Sequence, residues 1–289
     1  MNDVGDVQKH EEERSEHSER VDSSSGSLKR LVKISALVLL ILLLLRIFVL
    51  APYRIPTNSM QPTIAAGDAV IINKLPYYIR TPEYIPFTAI EVPHLQVKGL
   101  GNLERGDVVL FESTEPGRRE GTSRLVKRCG AIPGDTVSLV NGVVLVNGKP
   151  SDLSVNSHSI SSPPAKLEPM NGKKAYPLLR KESEVVVPYK GYELLLDSAK
   201  ADAWKDVLSD EGIAVSYKNS IVFLNGRPAT RYRFKHDYFF ALGDNSRDSR
   251  DSRHYGFVPR ENLIGQVMFI FWSHGDEGVR WGRIGGIVR

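Results

Sequence analysis

The chain has 289 residues, 41% hydrophobic and 25% charged, with a formal net charge of +4, which suits one or two globular domains with a real core. Eight acidic against three basic side chains precede Leu28, so the first stretch carries −5 and the remainder +9, an excess that suits a face lying on anionic lipid. No Lys/Arg run is interleaved with aromatics and no zinc-ligand spacing occurs, which argues against a nucleic-acid-binding protein, and the single cysteine, Cys129, excludes an internal disulfide.

Residues 1–28 are polar, rich in Ser and Glu and nearly free of large apolar groups. Such a segment buries too little surface to offset its ordering entropy and is expected to be a disordered tail. Lys29, Arg30 and Lys33 then introduce an apolar run to Leu50, interrupted by Ser35, Ala36 and Arg46. As a helix, Leu31 to Leu50 spans about 30 Å, the thickness of a hydrocarbon core. The polar stretch before it is longer than a secretory n-region, and Val49-Leu50-Ala51, the one small-residue cleavage pattern, runs into Pro52. The run therefore reads as an uncleaved anchor over 29–51, with Arg46 snorkelling at its far end. The cluster Lys29, Arg30 and Lys33 places the tail in the cytosol, although Arg46 and Arg54 on the other side oppose that orientation. The expected location is the cell inner (plasma) membrane, single-pass, with 52–289 on the outer, periplasmic or extracytoplasmic face.

Just beyond the anchor stands Pro56-Thr57-Asn58-Ser59-Met60-Gln61-Pro62-Thr63. The prolines fix φ and bias their predecessors towards extended backbone, so Ser59 is presented on a pinned, irregular loop. After it the pattern turns β. Gly-Asp pairs at 67–68, 106–107 and 134–135 each open a short apolar run, at Ala69–Ile72, Val108–Phe111 and Thr136–Val140. Asn141-Gly142 reads as a hairpin turn into Val143–Val146, because both turn residues accept φ > 0. Ser157 to Ala165 reads as loop and Asp197 to Leu208 as one short helix. Val222–Pro228 echoes Val144–Pro150 as strand, Asn-Gly turn and exit. Tyr238–Leu242 and Gln266–Trp272 complete the strands. The fold class is mainly β, with about 151–235 as an inserted, smaller β-rich subdomain and no assigned role for Pro76 to Leu103.

Two further segments bear on chemistry. Leu125 to Ile132 reads as a strand that puts Lys127 on one face with Leu125 and Cys129, and Arg128 on the other. If the first face is internal, burial lowers the lysine pKa until it can accept a proton. Gly243-Asp244-Asn245-Ser246-Arg247-Asp248-Ser249-Arg250-Asp251-Ser252-Arg253 crowds small, charged and amide groups into one loop, the composition of a hydrogen-bond and ion-pair network.

Together these segments resemble the type I signal peptidases, membrane-anchored serine peptidases that cut signal peptides from exported proteins. Pro56 to Thr63 is similar to the family's nucleophile box. Arg105-Gly106-Asp107-Val108-Val109, and Val126-Lys127-Arg128 through Pro133-Gly134-Asp135, are similar to its middle boxes. Gly243-Asp244-Asn245-Ser246, Ser249, Asp251-Ser252-Arg253 and Gly256-Phe257-Val258 are similar to its last. The resemblance implies coiled antiparallel sheets, a Ser59/Lys127 dyad, a membrane-facing site, and neither cofactor nor metal. It further implies an oxyanion site made by the Ser59 N–H and the Thr57 hydroxyl (many members carry Ser at that position), and Ser249 as the acceptor that orients Lys127. Asp251 and Arg253 would pair to fix the last loop, with Asp244 and Asn245 in support. Implied partners are preprotein signal peptides, membrane lipid and the secretion translocon.

The residues agree with a lysine base. The seven His residues stand in unrelated contexts, His254 alone touching the last box, and the helical Ser-x-x-Lys pattern is ruled out by Pro62 in the Lys position. A substrate peptide would add to a sheet edge, with pockets expected near Ile55–Met60 and Ala69–Ile72. Two alternatives stay open on sequence: a non-catalytic anchored β scaffold, and a Ser/Lys peptidase dedicated to a pilus or conjugation substrate.

Overall fold

The structure is a computed structural model in which residues 29–81, 91, 93, 95–113, 123–140, 143–151, 176, 179 and 184–289 are described. The N-terminal tail, the Asn141-Gly142 turn and the loop expected at Ser157–Ala165 lie outside them. Residues up to Val49 and residues Leu50–Arg289 form two separate compact units. In the first, Lys29–Phe48 is a single 20-residue helix, long and apolar enough to cross a membrane.

The second unit is built on an antiparallel sheet. Its strands run in the order Leu50–Arg54, Asp68–Asn73, Leu263–Gly275, Val108–Ser113, Ser123–Ala131, Tyr238–Leu242 and Val258–Pro259, with Gly278–Val279 paired to the long C-terminal strand. Register shifts interrupt the long strand at Leu263/Gly265, Val267/Phe269 and Ile270/Trp272, and such bulges bend a strand and increase its twist. The sheet curls so far that the Tyr53 hydroxyl, on its first strand, donates to the Arg124 carbonyl, on its fifth, at 3.1 Å.

The three Gly-Asp pairs open strands by one mechanism. Gly67, Gly106 and Gly134 stand at φ of 86°, 96° and 91°, a region that costs glycine nothing. Each following aspartate accepts the backbone N–H three residues before it, from Ala65, Glu104 and Ile132, at 2.8–2.9 Å. The echo between 144–150 and 222–228 is also structural. Asn147 and Asn225 both take positive φ before a positive-φ glycine, and their side chains accept the N–H of Thr136 and Ala214, each at 2.8 Å.

Strand Val108–Phe111 is buried on both faces, and its alternation divides the core. Val108 and Leu110 join Ile55, Met60, Ile64, Val126 and Ile270 on one side. Val109 and Phe111 join Tyr77, Cys129, Phe239 and Leu263 on the other. A third cluster gathers Val137, Val146, Tyr176, Leu194, Trp204, Tyr232 and Phe234 against Tyr238, Phe240 and Leu242 of the main sheet. Glu211 reinforces that junction, accepting from the Tyr232 hydroxyl and, at 3.3 Å, from Tyr238. Beyond residue 184 this region is β-rich, with strands 193–195, 215–218, 221–224, 227–228 and 231–233.

The single helix expected over Asp197–Leu208 is two, Ser198–Ala203 and Lys205–Asp210. Trp204, at φ −94° and ψ 2°, ends the first and starts the second. Its buried ring stacks on Phe257 at 5.7 Å, a contact that the helical pattern of the sequence does not encode.

Candidate active site

Ser59 stands in the loop of a hairpin. Strands Leu50–Arg54 and Asp68–Asn73 pair antiparallel, and the loop between them is closed at its base by Ile55 N–H to Asp68 O, 2.8 Å, and Gly67 N–H to Ile55 O, 2.9 Å. Within it the Asn58 side chain accepts from Ala66 N–H and from the Gln61 amide, both at 2.9 Å. Met60 and Ile64 anchor the loop in the core. From below, Arg283 donates to Thr63 O at 3.0 Å and to Asp68 at 2.7 Å, while Arg280 reaches Ala66 O at 2.7 Å. Burial alone would raise the Asp68 carboxyl; hydrogen bonds from Arg283, Ala65 N–H and Ser273 hold it below its ordinary value.

Lys127 lies in strand Ser123–Ala131 with only 3% of its surface exposed. Its Nζ donates to Ser59 Oγ at 2.5 Å. Burial lowers the lysine pKa from 10.5 to about 8; among its neighbours Asp251 raises it and Arg253 lowers it. Thr57 Oγ1 lies 3.4 Å from Ser59 Oγ, and the Ser59 N–H donates to no acceptor among the described residues.

The Gly243–Gly256 segment closes the far side. Asn245 N–H donates to Ser59 O at 3.1 Å and its side chain to Asn58 O at 3.2 Å. A Cβ on Gly243 would overlap Ser249 and lie 2.6 Å from Ser59 O, so the close approach of these two segments requires glycine. Asp251 and Arg253 form a two-armed pair with both contacts at 2.8 Å. Desolvation works against the Asp251 carboxylate, but the Arg253 charge, the His254 and Arg253 side chains and the Gly243 N–H hold it well below the carboxylate range. Asp251 also caps the short helix Ser252–Tyr255, with His254 completing the capping box.

Asp244 forms a second two-armed pair, with Arg128, at 2.8 and 2.6 Å, and accepts from Thr63 Oγ1 at 2.5 Å. Arg128 and Thr63, which sequence reasoning left without a role, thereby tie three segments together. Ser249 is buried beside Gly243 with 1% exposure, and its Oγ has no hydrogen-bond partner among the described residues. The orienting bond to Lys127 that the resemblance implies is therefore not formed in this structure; the lysine bonds to Ser59 instead.

A cleft opens beside Ser59, lined by Tyr53, Ile55, Pro56, Thr57, Met60, Arg124, Leu125 and Val126. Ala69–Ile72, expected to share in its lining, does not: Val70 and Ile72 are buried in the core, and the curl of the sheet brings Arg124–Val126 to the opening. The geometry offers a hydroxyl, a buried amine in contact with it, adjacent donors and an apolar cleft, the parts that acyl transfer needs. Among the described residues no group of His, Cys, Asp or Glu is placed to hold a metal ion.

Comparison with known proteins gives a match over residues 28–272 to the family described as "Signal peptidase, peptidase S26". The signal peptidase I of Helicobacter pylori is 29% identical over 236 residues, 78% of this chain and 76% of that protein. Those of two Buchnera aphidicola subspecies, Schizaphis graminum and Baizongia pistaciae, are 27% and 25% identical over 258 and 269 residues. Each covers 84% of this chain, and 76% and 78% of the relative respectively.

Proposed function

The chain belongs to the signal peptidase family, peptidase S26, and from that premise we propose that it is a membrane-anchored serine endopeptidase that removes signal peptides from exported preproteins, with Ser59 as nucleophile and Lys127 as general base. The observation that carries the assignment of roles is the 2.5 Å contact between Lys127 Nζ and Ser59 Oγ, with the lysine buried and its pKa pushed down to about 8. Neutral Lys127 takes the hydroxyl proton as Ser59 attacks the scissile carbonyl. The resulting oxyanion is received by the Ser59 N–H and Thr57 Oγ1. Protonated Lys127 then gives its proton to the leaving amine, and a water activated by the same lysine releases the acyl group. Asn245 fixes the nucleophile loop, the Asp244–Arg128 and Asp251–Arg253 pairs hold the enclosing segment, and the unpartnered Ser249 hydroxyl is available to receive the lysine once it has taken the proton.

The substrate arrives as an extended strand. Leu50–Arg54 pairs only with Asp68–Asn73 among the described strands, and the register partners of Tyr238–Leu242 on the lysine strand are Arg128, Cys129 and Ala131. Two sheet edges thus border the cleft, and strand addition to either supplies affinity through the backbone. Helix Lys29–Phe48 anchors the chain with the tail in the cytosol, on the basis of Lys29, Arg30 and Lys33. The body then works on the outer face, near membrane lipid and the secretion translocon that delivers preproteins. Incubation of the purified full chain with a panel of preproteins tests this reading. Cleavage at signal-peptide boundaries, absent with Ser59→Ala, is the expected result; cleavage that survives Ser59→Ala refutes the assigned nucleophile.

A further inference from the structure

One of the two edges that border the cleft carries an internal bond. Cys129 donates its N–H to Asp107 O and accepts from Gly106 N–H, both at 2.8 Å, so its polar backbone groups face strand Val108–Ser113. In an antiparallel ladder that direction alternates residue by residue. Arg124 and Val126 therefore turn their N–H and C=O groups to the other edge, the one that borders the cleft. On that edge the Arg124 carbonyl receives the Tyr53 hydroxyl at 3.1 Å. Tyr53 belongs to the strand on the opposite wall, and both residues line the cleft. The bond thus crosses the opening from wall to wall. At 3.1 Å it is slightly longer than the usual range of about 2.5–3.0 Å for O–H···O.

We propose that Tyr53 is a latch across the substrate cleft: its hydroxyl holds the Arg124 carbonyl in the free protein, and a substrate strand that reaches Arg124 must exchange its own N–H for that hydroxyl. The inference rests on the peptidase reading above. Its consequence is selective. A substrate that pairs only as far as Val126 leaves the latch closed and incurs no cost. A substrate that extends to Arg124 opens it and loses the bond that the free protein already had. A substrate residue without an N–H at that point leaves the Tyr53 bond intact, so the carbonyl keeps a partner either way.

The test uses the full chain, its Tyr53→Phe variant and a set of signal-peptide substrates. One is unmodified; the others are N-methylated in turn at each residue before the cut. Tyr53→Phe keeps the ring that lines the cleft and deletes the donor. For the unmodified peptide it is expected to lower KM by about 2- to 13-fold, the net worth of one hydrogen bond, with kcat unchanged. At one position, N-methylation is expected to be nearly neutral for the wild-type protein and to raise KM for Tyr53→Phe, because only the former can restore the carbonyl's partner. An unchanged or higher KM for Tyr53→Phe overturns the latch, as does a methylation profile identical in the two proteins. The wild-type profile alone keeps the idea testable should the variant fold poorly: a cost at every pairing position excludes a latch that closes behind the substrate. A wild-type protein that cleaves none of the peptides refutes the peptidase reading instead.

Discussion

Titration of Lys127 is the most direct test of the proposed chemistry. With its pKa at about 8, about one lysine in eleven is neutral at pH 7, against about one in three thousand at the ordinary value. Burial therefore multiplies the usable base about 300-fold at neutral pH. The assay is kcat/KM for a short signal-peptide substrate from pH 5.5 to 10.5, with Ser59→Ala as the blank. The rate is expected to rise tenfold per pH unit up to about 8 and then to level off. Lys127→Arg should be inactive throughout, since a guanidinium does not give up its proton. The same shift has a stability consequence whose sign is fixed. The folded pKa lies below the unfolded one, so between about 8 and 10.5 the unfolded chain holds the proton that the folded chain has lost, and stability rises with pH through that window. The contribution, on the order of 3 kcal/mol, is absent below about 8. A rate that climbs without a break to pH 10.5 would refute a buried, neutral Lys127 as the base.

Two other substitutions probe neighbouring parts of the site. Thr57→Val deletes a donor 3.4 Å from Ser59 Oγ and should lower kcat by about 10²–10³ with little change in KM, while Thr57→Ser should be nearly normal; turnover and melting temperature, measured together for both variants, separate a lost donor from a lost fold. Gly243→Ala places a methyl group into Ser249 and against Ser59 O; cleavage should fall far more than melting temperature, because relief of the overlap displaces the nucleophile loop, and wild-type kinetics in this variant would contradict the packing.

The local parts of this molecule could be read in sequence because they are short-range chemistry. A glycine before an aspartate needs only a positive φ and a nearby N–H, and Asn147-Gly148 and Asn225-Gly226 need only their own turns. Alternation sets Lys127 on one face with Leu125 and Cys129, but whether that face is internal is decided by the sheet and not by the strand. What escaped the sequence depends on the curl. The Arg128–Asp244 pair spans 116 residues and the Arg283–Asp68 contact 215, and neither charge carries a mark of its partner. Tyr53 and Arg124 stand on the first and fifth strands of the sheet and meet through its curl, to which the bulges in Leu263–Gly275 contribute. For the same reason the cleft takes Arg124–Val126 in place of Ala69–Ile72. The unformed bond at Ser249 has a different origin: Lys127 reaches Ser59 in the described state, and the sequence can name two hydroxyls but not which of them the amine prefers.

The arrangement of charge around Lys127 explains why burial decides its protonation. A buried amine beside an unpaired carboxylate would be held charged and useless as a base. The enclosing segment supplies carboxylates in abundance, yet its two most buried ones, Asp244 and Asp251, are each bound in two-armed contact to an arginine. Desolvation stands first among the causes of the shift; Asp251, Asp244 and Asp248 favour the charged lysine, and Arg253 opposes them. The pairs also hold the segment in place: Arg128 reaches Thr63 beyond the nucleophile, and Arg253 reaches Ser246 O at 2.9 Å. Rigidity therefore comes from charges that partly offset one another as seen from the amine. An enclosure of the same stiffness built on acidic groups alone would raise the lysine pKa, and one built on apolar groups alone would lack the Asp251 acceptor that fixes the Gly243 N–H and the Arg253 donor that fixes Ser246 O. Paired charges meet both requirements, which gives a physical reason for Asp-Arg pairs, and not single acids, beside a lysine that must be neutral.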